Sequence, residues 1–392
     1  MKLLIYTHAF APMIGGVETY TRLMAEGLAK HADTAGKPKT EVTVVTQTPA
    51  RSDYDAESPF CVVRQPGLLH LTKLIRKATV VQLAGPCLLP MLIALLLRKP
   101  TVIEQHGYQA VCPNGMLLYE PEKTVCPGHF MAWRYNKCLD CNQEFLSWRK
   151  SLTMLLLTFP RRWLCQQVAA NVAVTAHVQR RINLPRSQFI YHGVPDPLSP
   201  QSAPKQIGVN PCPEHLCFGY VGRLVSEKGL LLLVEAARRL RDQGYKFRLK
   251  FVGDGPERPR LEAAVAASKL QFEVTFTGLL SGEQMEEALR DVAVVVMPSI
   301  WEETAGIAAI EQMFRGLLVI ASDVGGLGEI VGEAGLKFPL GDVNALVNCM
   351  KQVLDKPDTV STLGQKARTR ALNCFGLERV MKEHWAIYDR LH

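Results

Sequence analysis

Short apolar runs of strand length alternate along the chain with longer segments of helical composition. In the first half these runs lie at residues 2–7, 42–47, 61–64, 80–83 and 101–105. In the second half they lie at residues 216–221, 250–252, 274–277, 292–297 and 317–322. Strands that alternate with helices are typical of a parallel, doubly wound sheet, whose buried strands are apolar throughout. The pattern therefore predicts an α/β protein with two Rossmann-like domains.

Residues 196–210 have no apolar period and are rich in proline, serine and glutamine. This is linker composition, and it separates a first domain, residues 1–200, from a second domain, residues 201–372. The chain length of 392 residues agrees with two domains of this size. The remaining residues, 373–392, contain a final helix with Trp385 and Tyr388 on its apolar side.

The composition limits the classes of partner. The net charge of +8, from 45 basic and 37 acidic residues, suits phosphorylated substrates or an anionic membrane face. The sequence has no RNA-binding aromatic motif, zinc-finger spacing or basic tail, so we expect no nucleic-acid partner. The longest apolar run, residues 87–97, is shorter than the roughly 20 residues that cross a bilayer. We therefore predict no transmembrane helix.

Two glutamates mark the first candidate site. Glu303 follows the predicted strand at residues 292–297, and Glu311 lies one to two turns into a helix predicted at residues 307–315. Ligands bind at this edge of an open parallel sheet, and a helix amino end there favours a phosphate or a polar sugar. The alternative is that Glu303 only favours the helix start and that Glu311 is solvated.

The second candidate site is the octet G-R-L-V-S-E-K-G at residues 222–229. It follows a predicted strand, and Ser226 is expected to cap a helix at residues 228–243. Arg223 offers a flat fork to phosphate and Lys228 a point charge. The octet therefore predicts an anion site, with surface salt bridges as the alternative.

Together these stretches resemble the retaining nucleotide-sugar glycosyltransferases with the GT-B fold, of the family 4 type. The octet is similar to that family's diphosphate-binding G-R-x-x-x-x-K-G, and Glu303 and Glu311 are similar to its E-x7-E element. Ala305 departs from the usual phenylalanine and leaves the donor sugar open. The resemblance implies two Rossmann-like domains that face a cleft, with the C-terminal helix crossing back to the first domain.

The resemblance also implies roles for individual residues. The catalytic set is His106, Arg223, Lys228 and Glu303. The donor-binding set is Gly15, Gly16, Gly222, Gly253, Leu279, Ala305, Gly306, Ile307 and Glu311. His106 would contact the transferred sugar, the cations would neutralise the leaving diphosphate, and Glu311 would bind the ribose. The turn at residues 192–195 has His192 in place of the family's asparagine, which we interpret as a tolerated substitution.

The segment of residues 112–141 is a cysteine-containing insertion in the first domain. Cys138 and Cys141 have the two-residue gap of a zinc knuckle, and Cys112 and Cys126 (or His129) would complete four ligands. This predicts a structural zinc site, with packing thiols or a disulfide as the alternatives. The resemblance implies that catalysis itself requires no cofactor.

Two predicted helices of the first domain, residues 68–77 and 145–168, combine apolar side chains with lysines and arginines. Basic amphipathic helices lie in the bilayer interface and are attracted to anionic lipid. The alternative is a core-facing helix with a solvated basic face. We expect a cytoplasmic protein with peripheral contact to the inner face of the cell membrane.

The implied function is transfer of a hexosyl or N-acetylhexosaminyl group from a UDP- or GDP-linked sugar, with retention of configuration. The acceptor would be a glycan, a lipid-linked molecule or a small molecule. Two alternatives stay open because a fold does not fix a function. One is a nucleotide-sugar epimerase or a phosphorylase on the same fold, and the other is a non-catalytic protein that binds a nucleotide sugar.

Overall fold

The computed structural model describes residues 1–13, 15–30, 40–49, 54–198 and 215–392. The chain divides into two compact units. The first unit comprises Met1–Glu122, Cys126–Val194 and Gly376–His392, and the second comprises Lys123–Val125 and Pro195–Phe375. The predicted domain boundary after residue 200, and residues 199–210 of the predicted linker, lie outside the described residues.

The first unit is built on a parallel sheet of seven strands. The strands up to residue 189 are β1 (Lys2–Thr7), β2 (Glu41–Thr46), β3 (Cys61–Arg64), β4 (Val80–Ala84), β5 (Thr101–Gln105), the short β6 (Leu118–Tyr119) and β7 (Thr124–Val125), β8 (Ala170–Ala173) and β9 (Ser187–Phe189). The sheet order is β3-β2-β1-β4-β5-β8-β9, and each neighbouring pair is parallel.

The helices of this part of the chain lie between these strands in the sequence. They are α1 (Gly16–Lys30), α2 (Tyr54–Glu57), α3 (Leu68–Lys77), α4 (Leu88–Leu96), α5 (Tyr135–Gln143), α6 (Trp148–Cys165) and α7 (Ala176–Ile182). Helix α1 buries Tyr20, Met24 and Leu28 against the apolar residues of the sheet. This burial removes apolar surface from water and is the main stabilising term for such a layer.

The second unit is built on a parallel sheet of six strands. Its strands are β10 (Leu216–Val221), β11 (Phe247–Val252), β12 (Val274–Gly278), β13 (Val292–Met297), β14 (Leu318–Ser322) and β15 (Leu336–Phe338). Their order is β12-β11-β10-β13-β14-β15. The accompanying helices are α8 (Leu230–Asp242), α9 (Arg258–Ala267), α10 (Gly282–Leu289), α11 (Ile307–Phe314), α12 (Gly325–Val331), α13 (Val343–Asp355) and α14 (Asp358–Cys374).

The last helix, α15 (Leu377–Leu391), belongs to the first unit. It packs beside α1, and Val380, Ile387 and Tyr388 join the core of that unit. The predicted fold class, with two doubly wound parallel sheets and a final helix that returns to the first domain, is therefore confirmed.

Each sheet has a topological switch point. In the first unit β1 lies between β2 and β4, and in the second unit β10 lies between β11 and β13. The chain first adds strands on one side of this central strand and then adds the later strands on its other side. Loops that follow the two strands at such a point diverge and leave a crevice at their carboxyl ends, where ligands of α/β proteins bind.

One local prediction is wrong. Ser226 begins a 3₁₀ turn instead of capping a helix, because α8 starts only at Leu230 with Gly229 as its N-cap. Among the described residues, no helix has both the length and the apolar character required to cross a bilayer.

Candidate functional site

The crevice of the second unit is formed by the loops that follow β10 and β13. These strands are paired neighbours, with Gly219 opposite Val295, so their loops leave the sheet side by side. The loops are also joined directly, since the Ile300 N–H donates a 2.9 Å hydrogen bond to the Glu227 carbonyl. The octet and the first part of the E-x7-E element therefore form one structure.

Gly229 permits the close approach of the two loops. Its φ is +64°, in the left-handed region that glycine adopts without strain. A Cβ at this position would lie 2.1 Å from the Pro298 carbonyl oxygen, which is backbone and cannot rotate away. The final glycine of the octet is therefore required by packing, and it places Lys228 against the loop that carries Glu303.

Lys228 and Glu303 form an ion pair with 2.9 Å between Nζ and Oε1. The Ser299 hydroxyl donates to the same carboxylate oxygen, and the Gly326 N–H donates to the Glu303 carbonyl at 2.6 Å. The Lys228 Nζ also lies 5.9 Å from the centroid of the Trp301 ring. The Glu303 side chain is 8% exposed, so water screens this pair less than it screens a surface pair.

Tyr220 orients the backbone at Arg223 and was missed by sequence reasoning. Its buried hydroxyl donates a 2.8 Å hydrogen bond to the Arg223 carbonyl. Burial, together with the charges of Glu303 and Glu227, raises the pKa of Tyr220, so the hydroxyl stays a donor at neutral pH. The only available signal was one hydroxyl in an apolar strand that leads into the octet.

The Arg223 side chain is exposed and has no ion-pair partner within the described part of the chain. It is therefore available to an anion at the switch point, whereas Lys228 is already held in place by its neighbours.

The amino end of α11 borders the Glu303 carboxylate. Gly306, the N-cap, is left-handed with no side-chain capping bond, and Ile307 begins the helix. A Cβ on Gly306 would lie 3.8 Å from Glu303 Oε2, and Ala305 is buried beside it. The structure thus brings Glu303, Ala305, Gly306 and Ile307 together where helix N–H groups and the helix dipole favour negative charge.

Glu311 lies on the same helix, partly buried. Burial raises its pKa, Arg315 opposes this effect, and Glu286 adds to it. Arg315 forms a 2.5 Å ion pair with Glu286 on α10, which sequence reasoning did not identify. The sequence signal for a role of Arg315 was its four-residue spacing from Glu311, which places both side chains on one face of a helix.

Gly222 and Gly253 meet at the ends of β10 and β11. The Gly222 N–H donates to Val252 and the Gly253 N–H donates to Gly278, both at 3.0 Å. A Cβ on Gly253 would lie 1.9 Å from the Gly222 carbonyl oxygen. These glycines are therefore packed backbone to backbone, whereas Leu279, the next residue after β12, has an exposed side chain.

In the first unit, Gly15 and Gly16 lie at the start of α1, after the central strand β1. A Cβ on Gly15 would lie 2.2 Å from Glu18 Oε2, so the Glu18 carboxylate lies over the glycine. The predicted glycine loop is therefore at the switch point of its own sheet.

His106 follows β5 and points into the protein, with a side chain that is 6% exposed. Its Nδ1 lies 2.9 Å from His192 Nε2, and its Nε2 lies 3.4 Å from Glu104 Oε2. His192 is therefore a bonded partner of His106 in addition to being a turn residue. Burial and the nearby His106 lower the pKa of His192 to about 3, so His192 is neutral at neutral pH.

Glu104 is the centre of this buried network. It accepts hydrogen bonds from the Tyr20 hydroxyl at 3.0 Å and from Gln82 Nε2 at 2.7 Å, and it lies 2.6 Å from His384 Nε2. The Tyr388 hydroxyl donates to Gln82 Oε1. The network joins α1, β4, β5 and α15, and it holds the Glu104 carboxylate that contacts His106.

The charges in the network stabilise each other. Burial alone would raise the pKa of Glu104, but His384 and His106 outweigh burial and hold that pKa well below its usual range. Burial alone would lower the pKa of His384, but the Glu104 carboxylate outweighs burial and raises it. The sequence signal was the presence of lone polar residues, Gln82 and Glu104, in otherwise apolar strands.

The four cysteines of the insertion are buried. Asn114 bonds to both Cys112 and Cys141, and the Glu120 N–H donates to Cys141 Sγ at 3.4 Å. Burial and the neighbouring cysteines raise the pKa of Cys138 to about 12. In the described residues, no three His, Cys, Asp or Glu side chains are arranged to hold a metal ion. The structural zinc site stays a prediction.

Comparison with known proteins identifies relatives of parts of the chain. Residues 216–356 match the family model of glycosyl transferases group 1. The chain is 32% identical over 250 residues to a 2-deoxystreptamine glucosyltransferase from Streptomyces kanamyceticus, covering 60% of this chain and 64% of that protein. It is 34% identical over 161 residues to the sulfoquinovosyl transferase SQD2 from Arabidopsis thaliana, covering 40% of this chain and 30% of that protein. These matches thus span less than two thirds of each relative.

Solved structures resemble the chain over its full length. The Anabaena protein HepE, crystallised with UDP, has a TM-score of 0.72 at 16% identity, with all of both chains covered. Sucrose-phosphate synthase from Thermosynechococcus elongatus has a TM-score of 0.71 at 22% identity, with 100% of this chain and 98% of that chain covered. At these identities the likeness defines the fold, which is GT-B. The chain therefore has the GT-B fold, and its residues 216–356 are similar to the glycosyl transferases group 1 family.

Proposed function

We propose that the protein is a retaining glycosyltransferase that moves a hexosyl or N-acetylhexosaminyl group from a nucleoside diphosphate sugar to an acceptor. The observation that carries this proposal is the arrangement at the β10–β13 switch point. Lys228 is fixed 2.9 Å from Glu303, and Arg223 is exposed beside them on the loop after β10. The amino end of α11 borders the same carboxylate.

The cationic groups would act on the leaving group. Negative charge grows on the diphosphate as its bond to the sugar breaks, and fixed positive groups lower the barrier because they need not reorganise. Lys228 is held by Glu303 and by its position over Trp301. Arg223 can contact two phosphate oxygens through its planar fork. No metal or other cofactor takes part in this proposal.

Glu303 would position the sugar. Its Oε1 already accepts from Lys228 and Ser299, whereas Oε2 faces the start of α11. A carboxylate that is held by two donors is a weak nucleophile but a good acceptor for sugar hydroxyls, so we assign Glu303 to binding. Glu311, further along α11, would contact the nucleoside, and the small Ala305 leaves room beside the sugar.

The comparisons support a UDP-linked donor, and we keep a GDP-linked donor as the alternative. HepE was crystallised with UDP and also with UDP-glucose. One relative of this chain is named for transfer to 2-deoxystreptamine and another for transfer of a sulfoquinovosyl group. We propose a glycan, a small molecule or a lipid-linked molecule as the acceptor, bound on the side of the first unit. Gly15 and Gly16 would lie beside the donor, and His106 would contact the transferred sugar. A lipid-linked acceptor would be reached through peripheral contact with a membrane.

A donor screen tests the proposal. The protein is incubated with UDP- and GDP-sugars and a panel of acceptors, and release of the nucleoside diphosphate is measured. We expect acceptor-dependent release from one donor, and a product whose anomeric configuration by NMR matches that of the donor. An inverted product would refute the retaining assignment.

The same incubation separates the alternatives. An isomerised nucleotide sugar formed without acceptor would identify an epimerase, and release that depends on inorganic phosphate would identify a phosphorylase. Tight nucleotide binding without turnover across the whole panel would identify a non-catalytic binding protein.

A further inference from the structure

Three neighbouring helices of the first unit expose large apolar side chains. Helix α4 packs against both α3 and α6. On α4, Leu89, Leu92 and Leu96 are 51%, 43% and 73% exposed, and their spacing places them on one face. The opposite face of α4 buries Met91, Ile93 and Ala94. An all-apolar helix in a water-soluble domain is normally buried on every side, so this exposed face requires a partner.

The flanking helices extend this apolar surface. On α3, Leu68 and Leu69 are 59% and 80% exposed. The exposed large apolar residues of α6 are Trp148, Leu156, Leu157, Phe159 and Trp163. We call the exposed residues of α3, α4 and α6 the three-helix face.

The three-helix face has charge of one sign. Helices α3, α4 and α6 contain no aspartate or glutamate. Exposed lysines and arginines flank the apolar residues at positions 73, 76, 77, 149 and 150. The nearest acidic residues of the neighbouring α5 region, Asp140 and Glu144, lie outside the three helices. A face of this charge attracts an anionic surface over its whole width.

Exposed tryptophans lie on this face and beside it. The chain has five tryptophans, and Trp133, Trp148 and Trp163 are 80%, 60% and 59% exposed. Trp163 and Trp133 also line a groove of about 230 Å³ with Phe159 and Arg162. Tryptophan prefers the boundary between water and hydrocarbon because its ring is apolar and its N–H is polar.

We propose that the three-helix face binds the surface of an anionic phospholipid bilayer, with its leucines and tryptophans in the interface and its basic side chains at the head groups. A protein partner would be a weaker match, because lysine is depleted in protein–protein interfaces. This proposal concerns a surface of the first unit and does not depend on the glycosyltransferase proposal.

Vesicle co-flotation of the full chain tests this proposal. We expect about tenfold more protein on phosphatidylcholine vesicles that contain phosphatidylglycerol than on pure phosphatidylcholine, with less binding at high salt. The double variant Leu96→Asp/Trp163→Asp should lose this binding. The matched control is Phe272→Asp/Leu372→Asp, which makes the same charge change at exposed apolar residues of the second unit and should bind as the wild type does.

The basic residues are tested in the same way. Lys73→Ala/Lys150→Ala should weaken binding severalfold, and Lys356→Ala/Lys366→Ala, at exposed lysines of the second unit, should not. Circular dichroism and thermal melts confirm that each variant is folded. The proposal is overturned if the wild type binds neither vesicle, if it binds both equally, or if control and test variants behave alike. A wild-type dimer that Leu96→Asp/Trp163→Asp converts to a monomer, without vesicle binding, would assign the face to a second copy.

Discussion

Lys228 and Arg223 carry the same charge, but their side chains differ in burial and in how firmly the protein holds them. Lys228 is partly buried, paired with Glu303 and placed against Trp301, so its position is set by the protein. Arg223 is exposed, and only its backbone is fixed, by Tyr220. A fixed cation lowers the barrier by preorganisation, and a mobile one can follow the phosphate as charge develops on it.

We therefore predict that Lys228→Ala and Arg223→Ala each lower kcat by on the order of 10²-fold, because each removes a charge-assisted contact to the leaving group. Steady-state kinetics with the donor identified by the screen gives kcat and KM separately. Lys246→Ala removes an exposed lysine from the same unit and should leave both constants unchanged. An unaltered kcat in both test variants would refute the assignment of the diphosphate to this site.

At the scale of elements, the sequence was most informative for buried strands. Strands β1, β5, β10 and β13 begin and end where the apolar runs predicted, because a parallel strand covered on both faces tolerates few polar residues. The sequence analysis missed β15 and α12. Strand β15 has only three residues and α12 is short and rich in glycine, so neither element leaves a periodic pattern of apolar residues. The octet and the E-x7-E element were identifiable because their residues are close in sequence as well as in space.

Contacts between distant parts of the chain could not be predicted in this way. Glu104 and His384 are 280 residues apart and lie 2.6 Å from one another. Nothing in the local sequence of β5 or α15 specifies the partner, because their meeting depends on the complete packing of the first unit. The same reason accounts for His192, whose bond to His106 crosses 86 residues.

The Glu104–His384 pair predicts a specific pH dependence of stability. The raised pKa of His384 means that its contribution is full below about pH 6.5, its unfolded value, and is lost as pH rises through the folded value. The lowered pKa of Glu104 means that its contribution is present above about pH 4.3 and is lost as pH falls. The pair should therefore stabilise the first unit most between about pH 4.3 and 6.5.

We predict that His384→Gln lowers the free energy of unfolding by about 3 kcal/mol near pH 6, because it leaves a buried carboxylate short of a charged partner. Above pH 6.5 the wild type should lose up to about 1.4 kcal/mol per pH unit from this residue, and the variant should not. Urea midpoints from pH 5 to pH 9 measure both effects. His70→Gln, at an exposed histidine, is the control, and parallel pH profiles of wild type and His384→Gln would contradict the assignment.

The insertion between β5 and α6 gives a second prediction at this scale. The four-cysteine zinc site predicted from its sequence requires about one equivalent of zinc in protein purified without a histidine tag, measured by metal analysis. Cys138→Ser should remove that zinc, and Cys374→Ser, on α14, should not. Less than about one-tenth of an equivalent in the wild type would leave the four as buried thiols, the alternative derived from the same sequence.

At the scale of the whole molecule, both units have their candidate binding loop at the same position in the fold. The glycine loop after β1 and the octet after β10 each follow the central strand at a switch point. The units differ in how the chain builds them. The second is nearly continuous from Pro195 to Phe375, whereas the first needs both ends of the chain, because α15 completes its core.

This difference predicts that removal of residues 376–392 unfolds the first unit and spares the second. The deletion exposes the partners of Val380, Ile387 and Tyr388, and burial of such side chains contributes about 1.5–3 kcal/mol each. Their sum is about as large as the 5–15 kcal/mol that stabilises a typical domain, before the loss of His384 is counted. Limited proteolysis with mass spectrometry should therefore show rapid cleavage within residues 1–194 and protection of residues 216–356. The control, Lys382→Ala/Arg390→Ala on the exposed side of α15, keeps the helix and should resist proteolysis as the wild type does. Equal protection of both units in the truncated chain would mean that the first unit folds without its last helix.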